Sequence, residues 1–89
     1  MAWKVEVSPT ALKQLAKLDK PVSRRILKFL HERVENLDDP RTLGGRLQGT
    51  LSEFWKYRVG DCRIICSFEH ERLVVLVLRI GHRREVYKR

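Results

Sequence analysis

Apolar and polar residues alternate along this chain at two different rhythms, and the change of rhythm divides it. Trp3 to Val7 alternates at period two and stops at Ser8-Pro9, which predicts a short strand with Trp3, Val5 and Val7 on its buried face. Ser8 suits a helix N-cap and Pro9 the first helical position, after which Ala11, Leu12, Leu15, Ala16 and Leu18 recur at helical spacing. Asp19-Lys20-Pro21 breaks this helix and opens a second, with Asp19 able to cap it and Pro21 in its first turn. The apolar positions Ile26, Leu27, Leu30, Val34 and Leu37 then keep the 3.6 period as far as Asp38-Asp39-Pro40, with charge on the outer face. The two helices read as an αα-hairpin laid on a sheet.

Residues 40–52, with Pro40, Gly44, Gly45 and Gly49, hold no sustained period and read as a loop. Strand patterning follows. Glu53 to Val59 alternates, Gly60-Asp61 suits a two-residue hairpin turn, and Cys62 to Glu69 is rich in β-branched and aromatic residues. His70-Glu71 is read as a tight turn into Arg72 to Ile80, whose run from Leu73 to Leu78 suits a central strand buried on both faces and ended by Gly81. Arg83 to Tyr87 is a candidate extra edge strand. The expected fold is therefore α+β: one domain over residues 1–89, in the order β-α-α-β-β-β, with a small antiparallel-rich sheet packed against an N-terminal αα-hairpin.

Composition narrows the function. The chain of 89 residues carries a net charge of +8, and the bias lies in its second part: residues 1–40 hold eight basic and six acidic side chains, residues 41–89 eleven and five. Such a bias points to a polyanionic partner. The N-terminal ten residues have no continuous apolar stretch of the kind a secretory leader uses, and the apolar run Leu73 to Leu78 is too short to span a bilayer, so a cytoplasmic protein without membrane contact is expected. Cys62 and Cys66 would stand roughly 13 Å apart on a strand, too far for a disulfide, and read as small apolar fillers. Phosphate-loop, dinucleotide, zinc-protease and paired-carboxylate motifs are absent, and no metal or cofactor is expected.

The hairpin geometry gathers charge. With Gly60-Asp61 as the turn, Val59 pairs with Cys62 and Arg58 lies across from Arg63, while Lys56 projects on the same face. Like charges placed opposite one another cost stability, so three cations there suit an anionic ligand such as phosphate. An ordinary solvated face, with Arg63 paired to Asp61 or Glu53, is the competing reading, and a one-residue slip of register would scatter the set. The tail from Gly81 through His82, Arg83, Arg84, Glu85, Val86, Tyr87, Lys88 and Arg89 adds an imidazole, a phenol and several cations, able to bind phosphate and to move a proton. A solubilising basic terminus is the alternative there. His31 on the long helix and His70 in a turn are read as surface residues.

The strand and helix order, Leu47-Gln48-Gly49 before Trp55-Lys56-Tyr57-Arg58, the strand start Cys62-Arg63-Ile64-Ile65 and the closing Gly81-His82-Arg83-Arg84-Glu85-Val86-Tyr87 together resemble the RelE/ParE superfamily of bacterial toxin-antitoxin systems, most closely its RelE branch. The resemblance covers nearly the whole chain. It implies a ribosome-dependent, metal-independent endoribonuclease that cuts mRNA in the A site of the 30S subunit and is held inactive by a cognate antitoxin. The ribose 2′-OH attacks the adjacent phosphate, which leaves a 2′,3′-cyclic phosphate and a 5′-OH. Such a reaction needs a base near the 2′-OH, cations around the phosphorane and an acid at the leaving oxygen.

By position, Lys56 and Arg58 match the family's paired catalytic cations, and Arg63 its phosphate-holding arginine. Arg83 matches the tail arginine that serves the phosphate and leaving group, and Tyr87 the tail tyrosine that orients the substrate. Arg46, Arg84, Lys88 and Arg89 are expected to bind RNA, with His82 as an accessory group. One position departs from the pattern: Arg58 stands where the best-known members have a lysine proposed as the base, and a guanidinium is not deprotonated in proteins. Lys56, Tyr87 or His82 would have to replace it, or electrostatic stabilisation would dominate. The alternatives are a ParE-like inhibitor of DNA gyrase with the same fold, and a nucleic-acid-binding module without catalysis.

Overall fold

The computed structural model describes residues 3–46 and 54–82. Strand β1 (Lys4–Val7) leads into helices α1 (Pro9–Lys17) and α2 (Lys20–Lys28), and α2 runs on through a π-helical turn over Phe29–Val34. Strand β2 (Gly45–Arg46), β3 (Trp55–Val59), β4 (Cys62–Glu69) and β5 (Val74–His82) follow. They form one sheet in the order β1-β5-β4-β3-β2, with β1 parallel to β5 and the other pairs antiparallel. The fold is α+β, as the patterning predicts. The candidate edge strand at Arg83 to Tyr87 lies outside the described residues.

Local chemistry accounts for the elements. Ser8 is the N-cap of α1, its hydroxyl accepting from the Ala11 N–H at 3.1 Å, and Pro9 stands at the first helical position. Asp19 occupies the N-cap of α2, but its side chain makes no cap hydrogen bond. Ser23 ties the helices together by donating to the Leu15 carbonyl at 2.9 Å. The faces turned to the sheet are apolar. Ala11, Leu15, Ile26, Leu30 and Val34 pack on Val5, Tyr57, Ile64, Cys66, Val75, Val77 and Ile80. Each large aliphatic side chain buried there contributes about 1.5–3 kcal/mol.

Three expectations need correction. The segment read as a loop over 40–52 contains a 3₁₀ turn at Pro40–Thr42 and the two-residue strand β2, which pairs Gly45 with Lys56 and Arg46 with Trp55. The β4–β5 connection takes four residues, His70 to Leu73, with Leu73 at φ +53, so β5 begins at Val74. Gly81 does not end the strand, because Arg63 and Cys62 on β4 extend the ladder to Gly81 and His82.

β5 also carries a β-bulge. Cys66 pairs with Val77 but Ile65 pairs with Arg79, so Leu78 is an extra residue. Helix α1 supports it: the Ser8 hydroxyl donates to the Leu78 carbonyl at 3.1 Å, and Gln14 accepts from the Ile80 N–H at 2.7 Å. Since Ser8 both caps α1 and holds the bulge, Ser8→Ala is expected to cost about 1–2 kcal/mol, read as a lower midpoint in urea unfolding.

The outer edge of β1 is also satisfied by a side chain. Glu35 accepts from the Val5 N–H at 2.8 Å and meets His31 Nδ1 at 3.1 Å. Desolvation raises its carboxyl pKa, but the Val5 N–H and His31 outweigh that and hold it below the usual carboxylate range. A carboxyl depressed in the folded state stabilises above its unfolded pKa and loses that contribution as pH falls through the folded value. The melting advantage of the native chain over Glu35→Gln should therefore be full near neutrality and shrink on acidification below the usual carboxylate range.

Candidate active site

The sheet has one face under the helices and one open. Cross-strand partners share a face, so the register assigns each cation. Trp55, Tyr57 and Val59 of β3 belong to the core, which sends Lys56 and Arg58 to the open face, where both are exposed. Gly60 opens the β3–β4 turn at φ +58, the left-handed value that the first position of a type II′ hairpin uses. Val59 then pairs with Cys62 and Arg58 with Arg63, the register read from the sequence.

Arg58 and Arg63 thus stand on neighbouring strands with Cα atoms about 5 Å apart. Among the described residues, the side chains of Lys56, Arg58 and Arg63 make neither an ion pair nor a hydrogen bond, so Asp61 does not neutralise Arg63. Glu53 lies outside those residues.

A shallow cleft of about 200 Å³ sits among these three cations and Gly44-Gly45. Two buried polar handles set its wall. The Tyr57 hydroxyl donates to the Pro40 carbonyl at 2.7 Å and Trp55 Nε1 donates to the Leu43 carbonyl at 2.8 Å, which fastens residues 40–43 to β3. Gly44, at φ +82, lets the chain pass directly over β3. Burial pushes the Tyr57 phenol above its ordinary pKa, in keeping with a structural hydrogen bond rather than proton transfer.

The other predicted residues fall elsewhere. His82 pairs with Cys62, a core residue, and so lies on the helix side, where it lines a cavity of about 460 Å³ with Lys17, Arg25 and Asp61. Arg46 pairs with Trp55 and shares that residue's face, away from Lys56. Arg83, Arg84, Tyr87, Lys88 and Arg89 lie outside the described residues. Cys62 and Cys66 are buried and free, as expected of fillers. Burial raises both thiol pKa values; for Cys62 Asp61 adds to the rise, while Arg25 and Arg63 oppose it.

Sequence reasoning missed one cation on the open face. Arg79 pairs with Ile65, which in turn pairs with Lys56, and its side chain is exposed. Unbroken alternation from Val75 and Val77 would put Arg79 in the core. An arginine in phase with core valines was the signal that a bulge had to intervene.

A family model described as the ParE toxin of type II toxin-antitoxin systems, parDE, matches residues 5–87. The chain belongs to the ParE toxin family. Within the wider RelE/ParE superfamily, the proteins it is similar to include ones named RelE and RelG. It is 26% identical to Toxin RelG of Mycobacterium tuberculosis, with 100% of both chains covered. Its fold is similar to that in the toxin-antitoxin complex RelBE2 from Mycobacterium tuberculosis, with a TM-score of 0.85 at 24% identity over 93% of this chain and 100% of that one. The toxin is also similar to a chain of the intact Escherichia coli RelBE complex, with a TM-score of 0.72 at 26% identity over 91% of this chain and 96% of that one. For the archaeal RelE-RelB complex from Pyrococcus horikoshii OT3 the TM-score is 0.73 at 26% identity, over 96% and 99%.

Among the described residues, no helix of the toxin is long and apolar enough to cross a membrane.

Proposed function

We propose that this toxin is an mRNA interferase: a ribosome-dependent endoribonuclease that cuts mRNA in the A site and thereby stops translation in the cytoplasm. The observation that carries the reading is the set of cations uncompensated among the described residues, Arg58 across from Arg63 with Lys56 beside them, on an open sheet face next to Gly44-Gly45. Cations left without an internal acid favour a ligand that brings negative charge, and strands hold them more rigidly than a loop would.

In this reading the 2′ oxygen forms a bond to phosphorus as the bond from phosphorus to the 5′ oxygen breaks. One proton leaves the 2′-OH and one reaches the 5′ oxygen, so the step balances without an added reactant. Arg63 and Arg58 hold the non-bridging oxygens, whose charge grows in the phosphorane. Arg58 cannot take the proton. Lys56 is the base we assign on this face. Arg83 and Tyr87 are the tail residues we assign to the same phosphate, with Arg84, Lys88 and Arg89 as RNA contacts, while Arg46, on the opposite face, would touch RNA only outside this cleft. His82, on the helix side, is left with an accessory role at most.

Two partners bear on this activity. The ribosome supplies the mRNA, and a cognate antitoxin restrains the toxin, as the RelB partners present in the similar complexes suggest. The exposed Leu12 and Leu27 on the outer helix faces, together with the basic open face, suit an acidic and apolar antitoxin segment.

Incubation with purified ribosomes translating a defined mRNA tests the activity. Fragments ending in a 2′,3′-cyclic phosphate, made only when ribosomes are present, are expected. A gyrase inhibitor is the second reading, favoured by the ParE description of the matching family. Intact mRNA together with loss of gyrase supercoiling would establish that one instead.

A further inference from the structure

We infer that Arg79 is a substrate-positioning residue, which holds the phosphate next to the scissile one. The inference deepens the interferase reading and rests on it. Two rows of residues cross the open face: Arg58, Arg63 and Gly81 form one, and Lys56, Ile65 and Arg79 the other. Neighbouring strands lie about 4.8 Å apart and same-face residues about 6.8 Å apart along a strand, so the Arg79 Cα stands about 8 Å from that of Arg63. An extended arginine reaches across that gap. Gly81, opposite Arg63, has no side chain to close the space between them.

The surroundings of Arg79 favour nucleic acid. Between Lys56 and Arg79 lies Ile65, buried with Phe54 packed against it in a small apolar patch separate from the main core. An apolar pad flanked by cations accepts a base on the pad and phosphates at its sides. The far end of the same face is charge-balanced, because Glu6 and Glu69 stand there bridged by Arg72, with Lys4 in the same row as Glu69. The positive excess that attracts an RNA strand therefore lies at the end that holds Lys56, Arg58, Arg63 and Arg79.

The bulge gives the placement its cause. Had β5 alternated regularly through Leu78, Arg79 would fall in phase with Val75 and Val77 and point at the helices. Ser8 and Gln14 spend hydrogen bonds on α1 to hold the bulge in place. Bulges next to active sites re-aim side chains in this way, and here the side chain re-aimed is a cation.

Toxin titrations of single-turnover cleavage on translating ribosomes test the inference with wild type, Arg79→Ala and Arg79→Lys. Arg79→Ala should need about tenfold more toxin for half-maximal rate, the size of one charge-assisted hydrogen bond, with the saturating rate within about twofold of wild type. Arg79→Lys should recover most of that loss, which a folding defect would not allow. Superimposable curves for wild type and Arg79→Ala overturn the inference, as does a fall confined to the saturating rate.

If wild type itself fails to cut, the interferase reading falls, and binding of a short fluorescent single-stranded RNA across a salt series decides the role of Arg79. A log-log salt slope about 0.7 shallower in Arg79→Ala than in wild type supports the phosphate contact, and equal slopes refute it.

Discussion

Replacing Arg63 by alanine is expected to slow mRNA cleavage by about 10²- to 10³-fold without unfolding the toxin, the loss that follows removal of one preorganised donor to a developing oxyanion. The fold should survive because the Arg63 side chain makes no ion pair or hydrogen bond among the described residues. Relief of its repulsion with Arg58 directly opposite should even raise the melting temperature slightly. Arg63→Lys keeps the charge but loses the planar fork, so it should fall between the two. Single-turnover rates and thermal melts of the three proteins check both halves of the statement. A variant that melts early would mean that Arg63 belongs to the fold rather than to the chemistry.

The second large effect is structural. A Cβ added at Gly44 would stand 2.3 Å from the Lys56 carbonyl oxygen and 2.7 Å from the Tyr57 ring, and φ at Gly44 is +82. Neither obstacle can yield: one is backbone, and the ring is fixed by the hydroxyl bond to Pro40. Gly44→Ala should therefore destabilise the toxin by about 3 kcal/mol, combining the clash with left-handed strain. For a domain of this size that lowers Tm by more than about 10 °C. The same substitution at Gly45, where an added Cβ meets nothing within 4 Å, should be mild and serves as the control. Equal melting of the two variants would contradict the close passage over β3.

Much of this arrangement was legible from local chemistry. Ser8-Pro9 placed the start of α1, and Gly60-Asp61 fixed the β3–β4 register, which alone set Arg58 across from Arg63 and turned Lys56 to the same face. What escaped depends on long-range partners. The two-residue β2 has no period to detect and exists because Trp55 and Tyr57 bind carbonyls of the preceding loop. The bulge at Leu78 depends on Ser8 and Gln14, dozens of residues earlier, so simple alternation misplaces Arg79 and gives no warning that His82 ends on the helix side. Gly81 read as a strand end because glycine weakens strands, yet opposite Arg63 it continues the ladder and leaves room beside that cation.

The departure at Arg58 also bears on which group removes the proton. With a guanidinium where the resemblance implies a lysine base, we propose that proton removal falls to Lys56, which lies beside Arg58 and Arg63 on the open face. Lys56→Ala should then lower the single-turnover cleavage rate, whereas Lys56→Arg should keep RNA binding and lose rate.

The most direct test of the central claim is to map RNA 5′ ends after brief expression of the toxin, on translated and untranslated copies of one transcript, beside the Arg63→Ala variant. The account predicts cuts in phase with codons, confined to the translated copy and lost in the variant. Growth arrest with both transcripts intact would contradict it.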